Sequence, residues 1–357
     1  MLRNAPIKIP EEIEKRLYQL VISRLNGDEI HQTYYRTALR DLVKKGIGGF
    51  IVFGGAKDGM REFIHELQSL ADIPLFIASD VERGVGQQIK GATSLPCPMA
   101  IAAALDRSVP EDAALLENAL KGVADEAIDN GINMPLIPVV DVNQEPDNPI
   151  ICTRAFSDDP ETVSWFGSEY IRTLEHAGLI SCAKHFPGHG DTDVDSHIAL
   201  PVINKSKENL KNTDLVPFVK AIETGVSSVM IGHLAVPSLD VMPATFSKKI
   251  ICDLLREELG FKGLVLTDAL DMHALGNPGD LPVKCINAGA DILLHPADAG
   301  AVVSRLLSAR ASGEVDERTI NNAAGRITKA KERLGHQMPV KADYAGNCVL
   351  STGISDR

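Results

Sequence analysis

The residues best suited to chemistry lie in one stretch, Lys184 to His197, which reads KHFPGHGDTDVDSH. Its fourteen residues include three histidines, three aspartates and a lysine. A carboxylate two residues from an imidazole can orient the ring and raise its basicity, so Asp195 and His197 are predicted to act together in proton transfer. The alternative, a polar surface loop that happens to contain histidines, is disfavoured by the density of this cluster.

The position of this stretch in the chain supports a functional interpretation. It follows directly on an apolar run, Leu179 to Ala183, which is typical of a buried strand. A buried strand that ends in a polar, Gly-rich loop places that loop at the rim of a sheet. Folds of the α/β class carry their chemistry at this rim.

Ionisable or amide side chains also follow the other predicted strands. Besides Lys184 and His185, these are Asp80, Asp141, Asn143, His233 and Asp268. Their convergence around one pocket at the rim of a barrel is the simplest explanation of the pattern. Asp141, Asn143, His189 and His233 are expected to brace loops.

The chemical character of the set indicates a sugar as ligand. Asp80 and Asp268 have no evident partner in the sequence, while Lys184 and Arg154 supply cations. Acids and cations together hydrogen-bond vicinal hydroxyl groups, and an acid left free of that work can attack an anomeric carbon. Arg154 has an alternative interpretation, an ion pair on the surface with Asp158 or Asp159.

The elements that position these residues alternate between strand and helix. An amphipathic helix is predicted over residues 11–25, and buried strands over residues 49–53, 75–79, 133–142, 179–183, 228–231, 263–267 and 291–294. Helices between them require a parallel sheet. A (β/α)8 TIM-type barrel fits 357 residues, with a short eighth strand near 281–283. A doubly wound sheet is the alternative, but no Gly-rich dinucleotide motif follows the first strand.

The pattern predicts one α/β domain over residues 1–335. No linker, repeat or low-complexity tract interrupts it. Residues 336–357 lose periodicity and are expected to wrap the surface or to remain loose.

Composition excludes several classes of protein. A net charge of −12 and the absence of long basic runs argue against a nucleic-acid partner. The six cysteines are scattered singly, which disfavours a disulfide framework or a zinc site. The N-terminus lacks an apolar signal region, and no apolar run is long enough to span a membrane. We therefore expect a cytoplasmic protein, monomeric or weakly homo-oligomeric, that needs no cofactor or metal.

The sequence resembles glycoside hydrolase family 3, and within it the single-domain β-N-acetylglucosaminidases. The resemblance extends from about Leu20 to Leu334. Three segments show the resemblance: KHFPGHGDTDVDSH at 184–197, INMPLIPVVDVNQEPDNPIICTRAFSDDP at 132–160, and LTDALDM at 266–272. Together these motifs are highly specific, whereas any one alone would only be indicative.

The resemblance implies a (β/α)8 barrel and a retaining, two-step hydrolysis of terminal β-linked N-acetylglucosamine. Asp268 matches the catalytic nucleophile, and His197 with Asp195 matches the acid/base dyad. The positions that hold the hydroxyls of the cleaved sugar are Asp80, Arg154, Lys184 and His185. In bacteria the resemblance further implies trimming of imported cell-wall fragments, so the partner would be a small N-acetylglucosamine-containing oligosaccharide or muropeptide.

One departure from the family pattern leaves the substrate open. Val85 and Gln88 stand where arginines are common in relatives, so a basic contact to the substrate is missing there. The alternatives on the same barrel are a β-glycosidase acting on glucosides or xylosides, and an enzyme that uses phosphate in place of water. A metal-dependent hydrolase using His185, His189 and His197 fits less well, because a Gly-rich loop lacks the one-sided geometry of a helical pair. A non-catalytic sugar-binding barrel would be expected to have lost its nucleophile.

Overall fold

The computed structural model describes residues 7–192, 200–272 and 280–334. Within them, eight strands alternate with helices along the chain. The strands are β1 (Val21–Asn26), β2 (Gly49–Phe53), β3 (Phe76–Ser79), β4 (Met134–Pro135), β5 (Cys182–Phe186), β6 (Ser228–Ile231), β7 (Leu264–Thr267) and β8 (Leu293–Leu294). The proposed tail, 336–357, lies outside the described residues.

The helices of the described residues cover the strands. They are α1 (Ile13–Tyr18), α2 (Thr33–Lys44), α3 (Lys57–Leu70), α4 (Pro98–Ala104), α5 (Pro110–Asp129), α6 (Pro160–His176), α7 (Lys207–Asn212), α8 (Val216–Thr224), a π-helix (Lys249–Glu258), α9 (Leu281–Ala288), α10 (Ala299–Ser312) and α11 (Glu317–Leu334). None of them is long and apolar enough to cross a membrane.

The strands pair in parallel and close into a barrel. Five follow the order β4-β3-β2-β1-β8, and three the order β5-β6-β7. Parallel bridges from Val139 to Lys184 and from Leu266 to Ile292 join the two sets. β4 is short because Pro135 and Pro138 lack the N–H that a ladder needs. The predicted (β/α)8 barrel is confirmed.

The prediction of one helix over residues 11–25 is wrong beyond Tyr18. The chain turns there and enters β1, which pairs with β2 and β8. A short, mostly apolar run such as Leu20 to Leu25 satisfies helical spacing and a buried strand equally well, so periodicity cannot decide between them. The eighth strand is therefore β1, and residues 281–283 begin helix α9 instead.

β5 lies further along the chain than predicted, at Cys182–Phe186 in place of 179–183. Lys184 and His185 are consequently buried residues of the strand itself, followed only by Phe186. The backbone fixes this register, since Lys184 O accepts the N–H of Val140 at 2.8 Å. Both side chains are thereby rigidly placed at the carboxyl end of the barrel.

Helix α6 begins where the loop after β4 ends. Asp159 is its N-cap and accepts the N–H of Thr162 at 2.8 Å, and Pro160 occupies the first turn. The Asp159 side chain is therefore bonded within its own helix. The cap also fixes the position of the C-terminal end of the preceding loop, which contains Arg154.

Candidate active site

Lys184 is the centre of a buried ion-pair network at the carboxyl ends of the strands. Its Nζ lies 2.6 Å from Asp80 Oδ1 and 2.9 Å from Glu82 Oε1. Burial opposes the charge of Lys184, but the two acids outweigh this and raise its pKa. Asp80 is therefore paired, and the prediction that it lacks a partner is wrong. Its side chain still retains 27% exposure, so a free edge remains for a ligand.

Glu82 links Lys184 to Arg154. The Nε and Nη2 atoms of Arg154 donate to the two carboxylate oxygens of Glu82, each at 2.8 Å. This fork geometry is the strongest pairing available between these groups. Burial opposes ionisation of Glu82, but Lys184 and Arg154 hold its pKa well below the usual value. The alternative that Arg154 pairs with Asp158 or Asp159 is thus excluded.

Asp141 orients His185. Its Oδ2 lies 2.7 Å from His185 Nδ1, and its oxygens also accept the backbone N–H of His185 and, at 2.7 Å, that of His189. Burial opposes ionisation of Asp141, but the neighbouring His185 outweighs it and lowers the pKa. An ionised Asp141 can only accept, so Nδ1 carries the proton and Nε2 faces Arg154 Nη2 at 3.4 Å. Asp141 braces the site, as the sequence indicated.

The loop after β5 packs directly on the loop after β4, and this contact requires Gly190. A Cβ atom at this position would lie 1.8 Å from Val142 O. Gly190 O also accepts the N–H groups of Gln144 and Glu145, both at 3.1 Å. Gly190 thus permits the close approach of the two loop backbones.

Asp268 lies immediately after β7, at the same end of the barrel. Its backbone N–H donates to Ile231 O at 3.0 Å, and its Oδ1 accepts the N–H of Ala269 at 2.8 Å. Burial opposes ionisation, but His185, His233 and the Ala269 N–H outweigh it and lower the pKa of Asp268. Asp268 as a whole residue is nevertheless partly exposed. Asp268 is therefore an accessible, ionised carboxylate at neutral pH.

Two further residues near Asp268 hold the backbone around it. His233 Nδ1 lies 2.8 Å from Thr245 Oγ1, and its Nε2 lies 2.9 Å from Ala269 O. Asp271 Oδ1 lies 2.8 Å from His295 Nδ1. Both residues brace the turn that carries Asp268, in agreement with the structural interpretation of His233.

His189 is expected to make the stability of the fold depend on pH. The Thr192 hydroxyl donates to His189 O at 3.1 Å, so Thr192 Oγ1 accepts from Nδ1 at 2.8 Å and Nε2 is left bare. Nε2 is buried and has no partner among the described residues. Burial, reinforced by the nearby His185, lowers the pKa of His189 from 6.5 to about 4.

We therefore expect stability to fall as pH drops from 6.5 towards 4, because the unfolded chain takes up this proton first. The contribution is fully present above pH 6.5 and is lost towards the folded pKa. Urea unfolding of the wild type and of His189→Gln at pH 7 and pH 5 measures it. The variant should lose less stability between the two values, and equal losses would contradict the assignment.

The structure brings most of the predicted site residues together. Asp80, Arg154, Lys184 and His185 belong to one chain of contacts with Asp141, and Asp268 lies at the same rim. Asp195 and His197 lie outside the described residues. Glu82 was not among the predicted ligand-binding residues, although its position two residues after Asp80 places it where a strand-end acid can act.

The described residues do not assemble a metal site. Within 7–192, 200–272 and 280–334, no three His, Cys, Asp or Glu side chains are placed to hold an ion. The Nδ1 atoms of His185 and His189 are already bonded to Asp141 and Thr192. The Lys184 network instead presents hydrogen-bond donors and acceptors in fixed positions, which suits them to bind vicinal hydroxyl groups. The ionised carboxylate of Asp268 lies at the same rim.

Comparison with known proteins agrees with this chemistry. The profile of the glycosyl hydrolase family 3 N terminal domain matches residues 12–330. Beta-hexosaminidase A of Pseudoalteromonas piscicida is 34% identical over 332 residues, which cover 83% of this chain and 55% of that protein. A beta-hexosaminidase of Stenotrophomonas maltophilia strain K279a is 34% identical over 288 residues, covering 78% and 82%.

Solved structures show the same relationship. A family 3 β-N-acetylglucosaminidase from Paenibacillus sp. str. FPU-7 superposes with a TM-score of 0.84 at 34% identity, covering 96% of this chain and 65% of that one. A β-glucoside phosphorylase superposes with a TM-score of 0.82 at 27% identity, covering 91% and 60%. The chain thus spans only about half to two thirds of several relatives. Since the profile, the relatives and the barrel agree along almost the whole sequence, this chain belongs to glycosyl hydrolase family 3.

Proposed function

We propose that this protein is a retaining exo-β-N-acetylglucosaminidase that removes terminal β-linked N-acetylglucosamine. The observation that carries the proposal is the partly exposed, ionised Asp268 at the rim that also holds the Lys184 network. The relatives named as beta-hexosaminidases, at 34% identity, support the N-acetylated sugar.

In the proposed mechanism Asp268 is the nucleophile. An ionised carboxylate attacks the anomeric carbon while the leaving oxygen takes a proton, forming a covalent glycosyl-enzyme. Water then attacks the same carbon and releases the sugar with its configuration retained. His197, oriented by Asp195, would donate the first proton and accept the second, since an imidazole with a reference pKa near 6.5 can do both near neutral pH.

Four residues are proposed to hold the sugar being cleaved. Asp80 and Arg154 present partly exposed edges, while Lys184 and His185 are almost completely buried beneath them. Because Glu82 and Asp141 fix the two buried groups from behind, the donors and acceptors are ordered before substrate arrives. Preorganisation of this kind reduces the entropy lost on binding.

The biological setting is also a proposal. The scattered single cysteines fit a reducing cytoplasm. There an enzyme of this specificity would trim N-acetylglucosamine from small peptidoglycan fragments. The second candidate is a glycosidase of altered specificity or one using phosphate, favoured by the superposition on a β-glucoside phosphorylase.

Initial rates on 4-nitrophenyl N-acetyl-β-D-glucosaminide and on the matching β-glucoside test the proposal. We expect the N-acetyl sugar to be preferred by at least about tenfold, because a pocket built to bond the acetamido group leaves polar atoms unpaired around a hydroxyl. Adding inorganic phosphate should leave the rate unchanged. A preference for the glucoside, or formation of a sugar 1-phosphate, would transfer the assignment to the second candidate.

A further inference from the structure

Arg24 points into the barrel, although it lies on the first strand and far from the predicted site in sequence. In the sheet register Arg24 is level with Ile51 of β2, which is level with Ala78 of β3. Neighbours in register share a face, as do residues two apart on one strand. Asp80, two residues after Ala78, reaches past β4 to Lys184 on β5. This face is therefore the interior.

The interior is open at Arg24. Ile22, two residues earlier on the same face, is completely buried, whereas Arg24 is exposed. Ile22 is level with Leu294, the last residue of β8, so Arg24 already lies beyond the end of that strand. An exposed side chain on the inner face of a barrel, past the end of a neighbouring strand, faces the mouth.

An aromatic ring holds the Arg24 guanidinium and leaves its donors unused. The guanidinium carbon lies 5.1 Å from the centre of the Phe53 ring. Phe53 is itself supported by His295, with ring centres 5.5 Å apart, and His295 is bonded to Asp271. Within the parts of the chain that the structure describes, Arg24 has no hydrogen bond or ion pair, unlike Arg154, whose fork is filled by Glu82.

We propose that Arg24, stacked on Phe53, forms an oxyanion-binding subsite at the mouth of the barrel. β1 and β5 are opposite in the closed strand order, with three strands between them on either side. A group bound at Arg24 therefore lies across the mouth from the sugar held at Lys184. A stacked guanidinium presents a planar pair of N–H donors that matches a carboxylate or a phosphate. The subsite rests on the proposed function, in which that sugar is the one cleaved.

The oxyanion can come from two sources, a carboxylate on the leaving group or free phosphate. The first arm compares kcat/KM for 4-nitrophenyl N-acetyl-β-D-glucosaminide and its 3-carboxy-4-nitrophenyl analogue. Arg24→Met should lower the ratio of carboxylated to neutral substrate by about tenfold relative to wild type, the loss expected for one charge-assisted pair. Comparing variants cancels the intrinsic difference between the leaving groups.

Two further variants serve as controls for the comparison of the two substrates. Arg24→Lys retains the charge and loses the planar fork, so it should restore the ratio only in part. Arg61→Met removes an exposed arginine from α3, outside the barrel, and should leave the ratio unchanged. Because Arg24 is exposed and makes no hydrogen bond to the described parts of the chain, Arg24→Met is expected to fold, which thermal unfolding checks.

The second arm titrates inorganic phosphate by calorimetry and needs no turnover. If Arg24→Met weakens phosphate binding by about tenfold while the substrate ratio is unchanged, the ligand is free phosphate. If neither quantity changes, the subsite is overturned. If wild type cleaves neither substrate, the proposed function fails, while the phosphate titration alone still decides for or against the subsite.

Discussion

Asp268→Ala should abolish turnover of the N-acetylglucosaminide, lowering kcat by roughly 10³-fold or more. The variant removes the carboxylate that is proposed to form the covalent bond. The neighbouring carboxylates are each already engaged, Asp80 by Lys184, Glu82 by Arg154 and Asp141 by His185. Asp268→Glu, longer by one methylene, should leave little activity because the reacting atoms are displaced. Steady-state rates of both variants measure this.

Azide separates loss of the nucleophile from loss of structure. A small anion can enter the space left in Asp268→Ala and attack the anomeric carbon, which gives an α-glycosyl azide. As a control, Asp298→Ala removes a carboxylate that caps α10 after β8 and should retain activity. Near-normal turnover by Asp268→Ala, or an α-configured first product from wild type, would remove Asp268 from the nucleophile role.

Glu82→Gln should lower kcat/KM by about 100-fold and the free energy of unfolding by about 3 kcal/mol. Glu82 accepts from both Arg154 and Lys184, and its side chain is only 5% exposed. An amide has the same shape but places N–H donors against these cations, which leaves the buried Lys184 and the partly buried Arg154 with one acid, Asp80, to compensate. Kinetics and urea unfolding test the two effects separately.

Glu126→Gln is a matched control for this variant. Glu126 accepts from Lys57 at 3.1 Å and from the Thr93 N–H at 2.8 Å, so it also fixes the loop after β3. It contacts one cation, and the same change should cost about 1 kcal/mol with activity unchanged. If Glu82→Gln behaves like this control, the network does not set the geometry of the site.

Much of the fold follows from local pattern. The strands at 49–53 and 228–231 have the bounds that periodicity predicts. Periodicity succeeds there because each apolar run is bounded by turn residues and has one plausible period. It fails at β1, because a run of six residues is too short to distinguish a strand from a helix. The pairing of this run with β2 and β8 appears only in the folded barrel.

The sequence by itself determined the barrel, the family and the strand-end residues Asp80, Lys184, His185 and Asp268, because motif and strand boundary are both local properties of the chain. Only the tertiary structure decided that Glu82 joins Arg154 to Lys184 and that Arg24 faces the same mouth. Glu82 and Arg154 are 72 positions apart, and their pairing exists only once β3 and the loop after β4 meet at one rim. Barrel closure, which no local pattern encodes, selects the partner of each buried charge.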